Sequence, residues 1–145
     1  MTADAQGTHS NRTQGRELAL KYLYALDLRG GEGESFASFA SHQKATTTVR
    51  AFAEGLVKGV TGEQAELDEL IASVAVNWSV PRMAVVDRNV LRLGAHELRT
   101  TPEVPTNVVI DEAVELAKRY GAAQSGAFIN GILDKLKKRL RPGAG

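Results

Sequence analysis

Apolar residues recur at spacings of three and four along almost the whole chain, and that regularity leaves little but helices for it to form. Leu18, Tyr22 and Leu26, with Ala19 and Leu23, give the first stripe, which Gly30-Gly31 should stop. A short apolar piece, Phe36 to Ala40, follows behind Ser35, a natural N-cap. Val49, Phe52, Ala53, Leu56, Val57 and Val60 make a second stripe. Thr61-Gly-Glu-Gln64 has the form of a capping box opening a helix with Leu67, Leu70, Ile71 and Val74. After a break from Asn77 to Pro81, Val86, Val90, Leu91, Leu93 and Leu98 share a helix that must end before Pro102. Pro105-Thr106 opens another, holding Ile110, Ala113, Val114 and Ala117, with Gly121 as its C-cap. Ser125 is placed to cap a last helix carrying Phe128, Ile129, Ile132, Leu133, Leu136 and Leu140, which Pro142 ends. Nowhere do β-branched residues alternate with polar ones between turn signals. The expectation is an all-α bundle of six to seven helices.

The chain has 145 residues, of which 43% are apolar, enough to bury a core without staples. Residues 1–11 are small and polar and are expected to form a disordered tail, leaving one helical domain over 12–141. That tail lacks the apolar middle of a secretory signal, and no stretch approaches the roughly 18 apolar residues of a membrane span. A cytoplasmic protein without membrane attachment is therefore expected. The absence of cysteine excludes disulfides, thiolate metal sites and a cysteine nucleophile.

Catalytic chemistry finds little support. His9, His42 and His96 are far apart and in no ligand spacing. Asp111, Glu112 and Glu115 read as a polar outer face, because nothing elsewhere completes a metal site. Gly55 and Gly59 lie in a helix, not in a phosphate loop after a strand. No enzyme activity and no cofactor are expected.

Formal net charge is only +1, so a site for a polyanion must come from a local patch. Three groups qualify. Arg12 and Arg16 stand one turn apart, Arg82, Arg88, Arg92 and Arg99 lie on or beside one helix, and Lys135, Lys137, Lys138, Arg139 and Arg141 crowd the end of the last helix. Each also has a plain structural role, the last group through the helix dipole.

The segment Val86-Asp-Arg-Asn-Val-Leu-Arg-Leu-Gly-Ala-His-Glu-Leu98 resembles a signature helix of the NusB transcription-antitermination family. Val104-Pro105, Ile110-Asp-Glu-Ala-Val-Glu-Leu-Ala-Lys-Arg-Tyr-Gly121 and Ser125-Gly-Ala-Phe-Ile-Asn-Gly-Ile-Leu-Asp-Lys135 continue it, in order and spacing, over roughly fifty residues. Arg16-Glu-Leu-Ala-Leu-Lys-Tyr-Leu-Tyr24 is similar to the family's first helix, whereas residues 30–76 agree in helical pattern more than in letters. The resemblance implies two packed three-helix bundles. It also implies a factor that joins NusE, a small-subunit ribosomal protein, on the single-stranded boxA element of nascent ribosomal RNA. With NusA and NusG, such a factor helps RNA polymerase read through terminators.

On that resemblance the RNA-binding candidates are Arg12, Arg16, Tyr120, Gln124, Ser125 and Phe128, and the NusE-facing candidates are Tyr24 and Asp87. Unstacked bases can lie on aromatic rings. Phe128 and Tyr120 flank the turn between the last two helices, and each either stacks a base or packs in the core. Tyr24 meets the partner or packs inward, and Asp87 faces a basic partner or serves as an N-terminal helix charge.

Two departures stand out. The arginine-rich run of many family members is here Arg12-Thr-Gln-Gly-Arg16, with Gly15 weakening the helix by roughly 1 kcal/mol relative to alanine. Gln124 stands where some relatives have an acid. NusB-like domains also precede catalytic domains in ribosomal RNA cytosine methyltransferases, but this chain lacks the length and the cysteines for that chemistry. A protein-interaction module without RNA specificity of its own is the alternative reading.

Overall fold

A computed structural model of the chain describes residues 2–143, with side chains from Asn11 onward. The tail expected over residues 1–11 lies, apart from Asn11, outside the residues whose side chains are described, as does His9. Among the described residues there are seven α-helices and no strand. They are α1 (Thr2–Leu28), α2 (Phe36–Ser41), α3 (Thr47–Gly62), α4 (Gln64–Val74), α5 (Val85–Thr100), α6 (Thr106–Tyr120) and α7 (Ser125–Leu140), with one 3-10 turn at Val80–Arg82. None of these helices is long and apolar enough to cross a membrane.

The chain forms two compact units, Met1–Gly59 and Val60–Gly145, with the boundary inside the last turn and a half of α3. The first unit holds α1 and α2 with most of α3, and the second holds α4 to α7.

In the first unit, Leu18, Ala19, Leu23, Ala53 and Leu56 are buried, as the two stripes predict. Gly30 and Gly31 stop α1 by taking φ of +72° and +91°, a region open to glycine at little cost. Ser35 caps α2, its hydroxyl accepting from the Ser38 amide at 3.1 Å. Gly15 has a reason to be glycine. A Cβ there would lie 2.5 Å from Cδ2 of Phe52, so the residue that weakens α1 lets the Phe52 ring lie against its backbone.

The second unit is organised on α5, which packs against α4, α6 and α7. The sequence predicts one apolar stripe on this helix, yet every residue from Asn89 to Leu98 is buried. A helix enclosed in this way must satisfy its polar side chains internally. Asn89 donates to the Val85 carbonyl at 2.8 Å, and Arg92 reaches Asp68 on α4 with two bonds of 2.7 and 3.0 Å. Leu67, Ile71, Leu91, Leu98, Ile129, Leu133 and Leu136 fill the space around them, each contributing about 1.5–3 kcal/mol through burial.

Two helix-end expectations are corrected and a third holds. The capping box at Thr61–Gln64 does not form: α3 runs on through Gly62, and the cap position of α4 is Glu63, with no side-chain cap bond. The buried Val60 keeps α3 helical past the point where the box would start, so the Thr61 backbone is already committed. Ser125 is the first residue of α7 rather than its cap, and its hydroxyl accepts from the preceding Ala122 amide at 2.9 Å. Gly121 is the C-cap of α6 as expected, its amide donating to the Ala117 carbonyl, with φ of −99°. Its requirement is space, since a Cβ would lie 2.6 Å from the Ser125 hydroxyl.

Candidate functional site

In the first unit, Arg12 and Arg16 fall on one face of α1 because they are four residues apart. Phe52 of α3 lies under both. The guanidinium carbon of Arg12 is 5.7 Å from the ring centroid and that of Arg16 is 5.5 Å, within cation–π range. The two arginines differ in access. Arg12 is exposed, whereas Arg16 is only 3% exposed. As a direct phosphate contact, therefore, Arg12 presents its charge and Arg16 does not. Arg16 instead fixes Phe52 and the α1 face from within.

Two tyrosines stand close together further along α1. Tyr22 is buried, donates its hydroxyl to the Glu34 carbonyl at 2.8 Å, and meets Phe36 and Phe39 edge-on, each at 5.4 Å. Burial, and then the Glu34 carboxylate, hold its phenol above the usual tyrosine range. Tyr24, the partner-facing candidate, is half-buried.

In the second unit the α6–α7 turn gathers four of the candidates. Tyr120, at the end of α6, is 36% exposed, and Gln124 is exposed. Ser125 is buried and its hydroxyl is engaged by the turn, so it shapes the turn and offers no free edge to a base. Phe128 is half-buried, which settles on neither of its two expected roles alone. It meets the ring of Trp78 edge-on, with centroids 5.2 Å apart at 74°. Trp78 itself is 60% exposed. Trp78 falls in the Asn77–Pro81 break, outside every apolar stripe. The available signal was a sole tryptophan in a segment with no stripe to bury it.

Asp87 sits in the first turn of α5, where the helix N-terminus favours an anion. Its Oδ1 is buried and accepts no hydrogen bond among the described residues. A carboxylate oxygen in that condition is suited to a donor brought by a partner.

The other two basic groups are largely engaged within the fold. Arg88 donates to the Pro81 carbonyl at 3.0 Å, and Arg92 is taken up by Asp68. Arg99 pairs with Glu63 and, at 3.2 Å, with Glu66. At the end of α7, Lys137 pairs with Asp134 at 2.9 Å and Arg139 donates to Ser73 at 2.8 Å. Arg141 donates to the carbonyls of Leu98, Val104, Glu97 and Thr101 and to the Thr106 hydroxyl, at 2.6–3.1 Å.

The titratable group nearest to this network is His96, buried on α5 with its Nδ1 3.8 Å from Glu63. Burial holds the imidazole below the ordinary histidine range, against the opposing pull of Glu63 and Glu97. The hydrogen bond from Arg99 holds the Glu63 carboxyl below its usual range. Among the described residues no three His, Asp or Glu side chains converge as a metal site would require. Asp111, Glu112 and Glu115 form no such group.

The sequence model described as the NusB family matches residues 13–138. The transcription antitermination protein NusB of Sorangium cellulosum is 48% identical over 130 residues, spanning 89% of this chain and 93% of that one. Among solved structures, NusB of T. maritima superposes with a TM-score of 0.83 at 36% identity, over 90% of this chain and 93% of the other. A structure of the antitermination factors NusB and NusE in complex with double-stranded RNA contains a chain that superposes with a TM-score of 0.78 at 29% identity, over 90% and 98% of the two chains.

Proposed function

The chain belongs to the NusB family, and from that membership we propose that it is an RNA-binding transcription antitermination factor that works as a complex with NusE. In this reading it recognises boxA in nascent ribosomal RNA. With NusA and NusG it then helps RNA polymerase pass terminators in the cytoplasm. The observation that carries the reading is the likeness to a NusB protein along nearly the full length of both chains. The local chemistry supports it. Arg12 offers an exposed cation in the first unit, and Tyr120, Gln124 and Phe128 offer aromatic and amide groups around one turn in the second. Tyr24 in the first unit and Asp87 in the second are each taken to meet NusE. The factor holds RNA without acting on it, so RNA incubated with the protein and magnesium should stay intact.

Co-elution on gel filtration with the cognate NusE, with and without boxA RNA, tests the reading. Tyr24→Asp should abolish co-elution, and a folded variant that still co-elutes would overturn the assignment of Tyr24. The engagement of most arginines within the fold favours one other reading, a protein-interaction module without RNA specificity of its own. Cross-linking to boxA against a scrambled RNA decides between them.

A further inference from the structure

Trp78 is the chain's sole tryptophan, and it stands 60% exposed beside Val76, which is 82% exposed. Such a pair is costly to leave in water, because a tryptophan ring offers one of the largest apolar surfaces of any side chain. Local structure holds it there. The Trp78 amide donates to the Ala75 carbonyl at 3.0 Å, closing a turn directly after α4. The ring is braced by Phe128, whose edge-on contact at 74° occupies one side of the indole and steadies its orientation. A fixed, exposed aromatic face is what a base needs for stacking.

The surrounding sequence carries charge of one sign. No carboxylate occurs between Glu115 and Asp134, the stretch that holds Lys118, Arg119 and Phe128. None occurs from Ala75 to Val86, the stretch that holds Trp78 and Arg82. An apolar face whose flanking sequence carries cations and no acids, Lys118 being shared with Glu115 at 4.0 Å, fits a stacked base on a polyanionic strand better than an apolar peptide.

We propose that Trp78 and Phe128 form a two-ring platform on which one base of a single-stranded RNA stacks, with Trp78 as the principal surface and Phe128 as its brace. The proposal rests on the RNA-binding reading and adds to it a contact residue in the α4–α5 connection.

The sole tryptophan supplies its own readout. In the full-length protein, saturation with a short single-stranded RNA carrying boxA should quench the intrinsic fluorescence. An abasic site at one position of that RNA should restore it. Trp78→Ala should weaken binding, measured by anisotropy of the labelled RNA, by roughly tenfold, whereas Trp78→Phe should weaken it by no more than about threefold. Unchanged helicity by circular dichroism confirms that each variant is folded. Normal RNA binding with no quenching, or with Trp78→Ala indifferent, would overturn the platform and leave the RNA reading standing. Absence of RNA binding by the unaltered protein, alone and with NusE, would overturn both. Loss of NusE binding in Trp78→Ala with RNA binding retained would make this face a protein contact and overturn the platform.

Discussion

The arginines of the two units are held in opposite ways. In the second unit, Arg92 and Arg141 are saturated by hydrogen-bond acceptors, a carboxylate on α4 for one and carbonyls of the α5–α6 connection for the other. In the first, the exposed Arg12 lies over the Phe52 ring, a partner that attracts a cation without accepting a conventional hydrogen bond, whereas Arg16, over the same ring, is buried and engaged within the fold. A guanidinium resting on a ring keeps its planar fork of donors for another ligand. Positive charge counted along the sequence is therefore not the same as charge available to a phosphate. The second unit has more basic residues, but the first presents Arg12 in a form that an anion can use.

Four expected outcomes break or sharpen this contrast. The largest is Arg92→Ala. Removing the guanidinium leaves Asp68 and Asn89 without their partner in a packed interior, at a cost of about 3 kcal/mol read from urea unfolding. A loss below about 1 kcal/mol would mean the pair is structural in name only. Gly15→Ala is next. Alanine favours the helix by roughly 1 kcal/mol, but its Cβ forces the Phe52 ring to move, and overpacking of this kind costs about 1–3 kcal/mol. A net loss of about 1 kcal/mol is expected by thermal melting, and a net gain would show that Phe52 swings aside freely.

Arg12→Ala acts on RNA more than on the fold. The log–log salt slope of RNA binding should flatten by about 0.7, one phosphate contact on a single strand, with all sequences weakened alike. Lys138→Ala on the exposed side of α7 is the comparison, and should leave the slope unchanged. An equal effect at both would dissolve the contrast between the units.

The smallest effect concerns pH. His96 is held below the ordinary 6.5 by burial, so the unfolded chain takes up a proton before the folded one as pH falls. Stability linked to His96 is therefore fully present above about pH 6.5 and is lost as pH drops from there toward the lower folded value. Glu63 adds a separate loss at more acid pH, below its ordinary 4.5, as its paired carboxylate is protonated. Denaturant midpoints at about pH 7.5 and about pH 5.5 should differ, and His96→Gln should remove most of that difference. A difference that persists would place the proton elsewhere.

The helices were legible because each buries a stripe whose period is local, and the glycine pair after α1 and the prolines after α5 and α7 are local signals too. What the pattern hid was α5. Arg92 reads in the sequence as one of a cationic group, yet it is enclosed, because its carboxylate partner lies 24 residues away on α4 and no spacing rule records that. The candidate site was half legible. The residues around Phe128 are close in sequence and share one turn. Trp78 joins Phe128 only through folding, and Ser125 looked like a cap or a base reader until its hydroxyl was seen to serve the turn. Arg16 looked like a twin of Arg12 because spacing puts both on one face but does not say which one α3 covers.

The five bonds of Arg141 have a further meaning for a chain made from one end. Their acceptors lie 35–44 residues earlier, and Leu98 is among the last carbonyls of α5, which the helix itself does not satisfy, while Glu97 accepts from the Thr101 amide as well. At roughly 5–20 residues per second, that end of α5 waits several seconds on the ribosome before its side-chain donor is made. The α5–α6 connection stays unfastened until residue 141 has been added and has left the ribosome. A released chain ending at residue 140 should leave its 97–106 segment open to protease, while the 145-residue chain should not.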